Sequence, residues 1–477
     1  MPWLLCITVA AGILRIVLYP HHAGPMNDDM YIAQSARMMF NPAFIPINNF
    51  EPAPGWPFLV SLFFWFTGPN QYTLYYANSV LGCLSVVAVF FMVYGITGKS
   101  AAGLAAAAFL AVSPLHTMWS ICGASIVPAL FFVILSLAGL FWFFRLHEPH
   151  YIYLCIFSAS LAAQISAENM LLLVAVPPAI YFMCRELFVL KKIAIHLLAP
   201  FVMTIPSMLH QLAAKLLQSM SAQGADATSK STDAFITLLI EKVSAELTRI
   251  AASGNFSLML IALAAGGLVL GWKNHNKPIV FLATLGAAYI AYICTISEHA
   301  SYREHFYLYT DLCLLAVASF SVHGLIENYP RFRVQALILC FAAATAISAT
   351  PHIANLNPDN DYFYYGKTMS QAIDRIQAEL PQDAILIVED PAPFQAVTNI
   401  TTVSPLMAIA QAQNLMHSDK VYFLMDISAG NMNALFYDVF KLKIEYPIPL
   451  NINLPGERPC GLYKVVATDL APLQQTQ

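Results

Sequence analysis

Apolar windows of about 20 residues, the length a helix needs to cross a hydrocarbon core, recur along most of the chain. They fall near 2–19, 75–97, 101–118, 124–144, 151–166, 169–184, 193–213, 255–272, 278–297, 305–326 and 334–350. The pattern predicts eleven spans, the two within 151–184 being the shortest pair. A polar, proline-rich stretch, 20–71, separates the first span from the second. It reads as a short helix ending near Asn41-Pro42, followed by an apolar segment, Phe58–Phe66, too short to span and placed at the membrane interface with Trp56 and Trp65 at headgroup level. A further helix over 232–251 sets Ile236, Leu239, Ile240, Val243, Leu247 and Ile250 opposite Glu241, Lys242, Glu246 and Arg249, an amphipathic pattern suited to a membrane surface.

Past His352 the period changes. Ala384–Val388, Val421–Met425 and Leu462–Val466 read as buried strands, and Lys367–Leu380, Leu406–Met416 and Met432–Phe440 as helices, so 352–477 is expected to be a small α/β domain behind a transmembrane domain covering 1–351. The fold class is therefore an α-helical polytopic membrane protein with a C-terminal α/β domain.

Composition agrees with that pattern: 58% hydrophobic against 10% charged residues cannot be solvated as one soluble globule. A net charge of -4 provides no basic field for nucleic acid. The short connections carry Lys and Arg in alternation, at Lys99, Arg145, Arg185 with Lys191 and Lys192, Lys273 with Lys277, and Arg331 with Arg333. Positive residues stay on the cytoplasmic side, which predicts a cytoplasmic N-terminus and places loop 20–71 and the C-terminal domain outside.

Chemistry is sparse in such a chain, so each charged group near an apolar segment stands out. Asp28-Asp29 follows the first span; an N-cap role for Asn27 or Asp28 accounts for one carboxylate better than two. Glu168, in the turn Ser166-Ala167-Glu168-Asn169, has no basic neighbour in sequence and reads either as a site residue or as part of an exposed hairpin turn. The segment Ser297–His305 holds His299, Tyr302 and Arg303, donors that match phosphate oxygens, unless it is an ordinary polar cap. Most of the nine cysteines fall inside proposed spans and show no CxxC or Cys/His spacing. No metal ligand set is indicated, no cofactor is called for, and a divalent cation stays open.

Taken together, Asn27-Asp28-Asp29-Met30-Tyr31, the run Pro52-Ala53-Pro54-Gly55-Trp56-Pro57, and Tyr302-Arg303 ahead of a late span resemble the GT-C superfamily of polytopic glycosyltransferases. Within it they resemble the bacterial relatives of protein O-mannosyltransferases and lipid A aminoarabinose transferases. The resemblance implies a multi-pass protein of the bacterial inner membrane that takes a sugar from a polyprenyl-phosphate donor and passes it to a lipid, glycan or protein acceptor outside the cytoplasm. It implies Asp28 as catalytic base with Asp29 beside it. Arg303, Tyr302 and His299 would lie at the donor phosphate, and Glu168, Trp56 and His116 would contact sugar or acceptor. The chain departs from the family in having no acid in the second outer loop, His116–Cys122, and in pairing Asp with Asp where the mannosyltransferases frequently pair Asp with Glu. The competing expectation is a lipid or polysaccharide transporter using the membrane-edge acids, but matching internal repeats are not visible, and Pro177-Pro178 has no counterpart in the second half.

Overall fold

The computed structural model describes residues 2–18, 28–41, 54–183 except 71, 258–295 and 307–328, and, beyond 372, chiefly 372–404 with short gaps, 420–426, 443–448, 453–454 and 458–466. The helices expected near 193–213, 232–251, 334–350 and 432–440, and most of that at 406–416, lie outside the described residues. The helices in chain order are α1 (Pro2–Leu18), α2 (Asp28–Phe40), α3 (Gly55–Thr67), α4 (Thr73–Thr97), α5 (Ser100–Val112), α6 (Pro114–Ser120), α7 (Ile126–Leu146), α8 (Pro149–Ile165), α9 (Met170–Met183), α10 (Leu258–Lys273), α11 (Lys277–Thr295) and α12 (Tyr307–Asn328). The chain divides into two compact units. One comprises Met1–Leu18, Ala53–Trp56 and Asn78–Asn355; the other comprises Tyr19–Pro52, Pro57–Ala77 and Leu356–Gln477.

The described residues of the first unit are mainly helical. Among the described residues α4, α7 and Tyr307–Leu325 of α12 are long and apolar enough to cross a membrane, and shorter apolar helices accompany them. The chain is a mainly helical integral membrane protein. Its helices approach closely where a side chain is missing: a Cβ on Gly139 would lie 2.8 Å from both Tyr151 O and Cys155 N of α8, and one on Gly267 would lie 2.0 Å from Val317 O of α12. Lipid offers no hydrophobic drive for helix association, so packing at such small residues supplies much of it.

The expected single span over 101–118 is two helices. Ser113, ahead of a proline, leaves helical geometry with φ −57° and ψ 121°. Pro114 then opens α6, and Ser113 Oγ accepts from the His116 amide at 3.3 Å. Trp56 also departs from expectation. It is buried rather than interfacial, its indole donating to Gly123 O at 2.9 Å, whereas Trp65 is largely exposed.

The second unit is built on a mixed sheet. Strands β1 (Ile385–Ile387), β2 (Thr401–Val403), β3 (Val421–Asp426), β4 (Lys443–Ile448), β5 (Asn453–Leu454) and β6 (Arg458–Val466) take the order β2-β1-β3-β6-β4, with β5 on β6. β1 pairs in parallel with β2 and β3, while β6 runs antiparallel to β3 and β4. Strands β1, β3 and β6 overlap the three expected buried strands; β2, β4 and β5 were not among them. Helical residues 372–379 close one face, where Ile373, Ile376, Leu386, Phe394, Ile400, Leu424 and Leu462 form the core. Each such side chain contributes about 1.5–3 kcal/mol on burial. Helix α2 belongs to this unit, and its Phe40 meets Phe64 and Trp65 of α3 edge-on at 6.0 and 5.7 Å.

Candidate functional site

Asp28 and Asp29 form the first turn of α2. A helix N-terminus leaves backbone N–H groups unpaired and favours negative charge. The chain thus carries its acidic pair at the end of a helix that suits it.

In the first unit, α8 ends because Ser166 adopts extended geometry, φ −151° and ψ 123°. A single 3-10 turn, Ala167–Asn169, leads into α9. The turn is buried, not an exposed hairpin: Glu168 is 6% exposed and Asn169 fully enclosed. Ser166 Oγ and Tyr309 OH both donate to Glu168 Oε1, the latter at 3.2 Å. Asn169 Nδ2 donates to Tyr309 OH at 2.8 Å, and Tyr289 OH donates to Asn169 Oδ1 at 3.2 Å. The two tyrosine rings stack 4.7 Å apart. Burial pushes the Glu168 carboxyl above its usual value, and the hydrogen bonds from Ser166 and Tyr309 hold it partly back. The start of α3 reaches the same helix end, since a Cβ on Gly55 would meet Gln164 O at 2.9 Å. Only glycine permits that approach.

A second polar group lies at the α5–α6 break. Arg15 of α1 donates to Ala11 O at 2.9 Å and to His116 Nδ1 at 2.8 Å. An arginine only donates, so His116 carries its proton on Nε2. Ser113 Oγ donates to Asp311 Oδ2 of α12 at 2.7 Å. Two ionisable residues, Arg15 and Asp311, are therefore tied to the two sides of one helix break.

Sequence reasoning named Glu168 and His116 but missed Tyr289, Tyr309, Asn169, Arg15 and Asp311. For Arg15 and Asp311 the signal was present, because a charge inside an apolar window is a site hypothesis by default. Nothing in the chain marked the tyrosines. His299, Tyr302 and Arg303 lie outside the described residues. Among the described residues no group of three His, Cys, Asp or Glu side chains is arranged to hold a metal ion.

The sequence matches no protein-family model and no curated protein. Solved structures match along nearly the whole chain. ArnT from Cupriavidus metallidurans in the apo state aligns with a TM-score of 0.59 at 10% identity, covering 97% of each chain. The same protein bound to undecaprenyl phosphate aligns at 0.55 and 11%, covering 99% of each. The Archaeoglobus fulgidus oligosaccharyltransferase AglB, in complex with an inhibitory peptide and a dolichol-phosphate, aligns at 0.54 and 13%, covering 92% of this chain and 71% of that one. At these identities the likeness is one of fold, which the chain shares with the ArnT and AglB structures.

Proposed function

We propose that this chain is a membrane glycosyltransferase that moves a sugar from a polyprenyl-phosphate donor to a lipid, glycan or protein acceptor on the extracytoplasmic face, with inversion. The observation that carries this reading is the alignment over 99% of the chain with ArnT holding undecaprenyl phosphate, taken with an acidic pair opening a helix in the first loop. AglB, which binds a dolichol-phosphate and a peptide, supports the same donor class.

In this reading the acceptor hydroxyl attacks the anomeric carbon as the bond to the phosphate oxygen breaks. Asp28 takes the hydroxyl proton, and polyprenyl phosphate leaves with the bonding electron pair. A positioned base of this kind is worth about 10²–10⁴ in rate. Asp29 orients the acceptor or sugar. Arg303 neutralises the leaving phosphate, and Tyr302 and His299 hydrogen-bond to it. A single displacement needs no second nucleophilic carboxylate; Glu168, bonded to Ser166 and Tyr309 and 6% exposed, shapes the turn after α8. Trp56 and His116 are buried, so their part is to shape the loops. Domain 352–477 stands outside the cytoplasm and the N-terminus within.

The test is label transfer from radiolabelled polyprenyl-phosphate sugars to a host membrane extract by the purified full chain, beside Asp28→Asn. Transfer lost in the variant while undecaprenyl phosphate still binds supports the assignment. A folded wild-type chain that neither binds nor transfers any donor overturns it in favour of transport.

A further inference from the structure

Helix α2 buries Ile32, Ala33 and Ala36, and from its middle to its C-terminal end it is tied by side-chain hydrogen bonds within its own unit. Arg37 Nη1 donates to Gln395 O at 2.7 Å and to Thr398 O, and Gln34 Nε2 donates to Gln395 Oε1 at 3.0 Å. Gln395 Nε2 donates in turn to Thr402 O of β2 at 2.9 Å. Gln34 and Gln395 are 2% and 6% exposed, so these bonds are made away from water and breaking one strands a buried polar group. The described residues of the partner segment are themselves anchored. Residues 388–400 connect the parallel strands β1 and β2, Phe394 and Ile400 sit in the hydrophobic core, and Gln395 N and Thr398 N close helical turns onto Pro391 O and Phe394 O. Phe40 adds its ring contacts at the same end of α2.

We propose that the β1–β2 connection of the α/β unit sets the position of the acidic pair, with Gln34, Arg37 and Gln395 as positioning residues of the transfer reaction. This rests on Asp28 acting as the base. At a rise of 1.5 Å per residue, Asp28 stands about 14 Å along the helix axis from Arg37. A tilt of about 5° at the clamped end then moves the first turn by about 1 Å, a displacement that costs about 10² in rate when it falls on a reacting group. The α/β unit therefore works on catalysis through α2, without touching substrate.

The experiment combines hydrogen–deuterium exchange of the full chain in detergent with steady-state kinetics, on Gln395→Leu, Arg37→Met and Arg37→Lys. Exchange across 28–40 is expected to speed up by about tenfold in Gln395→Leu and Arg37→Met while helices α7 and α8 keep their protection. In the same two variants kcat is expected to fall about 10- to 100-fold, with KM and the affinity for undecaprenyl phosphate unchanged. Arg37→Lys, which keeps a donor for the two carbonyls, is expected to recover most of both. Unchanged exchange in α2, or a rise in KM at constant kcat, overturns the proposal. If Gln395→Leu aggregates, Gln34→Leu breaks the same side-chain bond from the other partner. Exchange requires no substrate, so a wild-type chain that transfers no sugar sinks the proposed activity while α2 protection still decides the clamp.

Discussion

Tyr309 OH donates to Glu168 Oε1 at 3.2 Å across 141 positions of sequence, joining the turn after α8 to the first helical turn of α12. The same hydroxyl accepts from Asn169, so one phenol oxygen is both donor and acceptor inside a closed group of side chains. Tyr309→Phe leaves Glu168 short of one donor and Asn169 short of one acceptor. Stranded buried groups cost about 1–3 kcal/mol. We expect a clear drop in apparent Tm, read by thermal unfolding of the purified chain, and a smaller drop for Tyr289→Phe, which loses one bond and keeps the ring stack.

Burial raises the Glu168 carboxyl above its ordinary value, so the folded chain holds that proton more tightly than the unfolded chain. The stability this group contributes is full below the ordinary carboxylate range and fades as pH rises through the raised value. Glutamine keeps the acceptor oxygen and never ionises. Glu168→Gln is expected to melt about 2 °C above wild type at mildly alkaline pH, with the two curves converging as the pH falls. Loss of transfer alongside that gain marks a carboxylate kept for function; a variant that melts no higher at any pH contradicts the burial argument.

Gly267→Ala places a methyl group where Val317 O stands 2.0 Å away. The helices have to separate, and overpacking of this kind costs about 1–3 kcal/mol. Poor recovery of monodisperse protein is expected. Gly68→Ala is the comparison: nothing lies within 4 Å, but φ is +69°, so only backbone strain of about 1 kcal/mol applies, and size-exclusion profiles close to wild type are expected.

Asp28→Asn and Asp29→Asn separate base from neighbour. The first is expected to lower kcat by about 10²–10⁴ with undecaprenyl phosphate still bound; the second is expected to act less on kcat and more on acceptor KM. Equal losses in both assign the proton transfer to the pair, and no loss in either removes it from the first loop.

The membrane-spanning character was written in local pattern. Long apolar windows announce α1, α4, α7 and α12 because lipid forces each spanning backbone to satisfy its hydrogen bonds internally, and short runs read as buried strands announced β1, β3 and β6. The acidic pair at the start of α2 was equally legible, since charge beside an apolar segment has few neutral explanations. Local pattern could not show the break at Ser113 as a junction, because its meaning lies in Asp311, 198 positions away. Nor could it show that Glu168 is enclosed, because the groups enclosing it come from α11 and α12. The clamp on α2 is the fullest case. Arg37 and Gln34 look like the polar face of a short surface helix, and their partners lie 358 to 361 positions onward. Periodicity reports which face of an element avoids water; it is silent on which distant backbone carbonyl a buried donor will find, and that pairing exists only once the chain has folded.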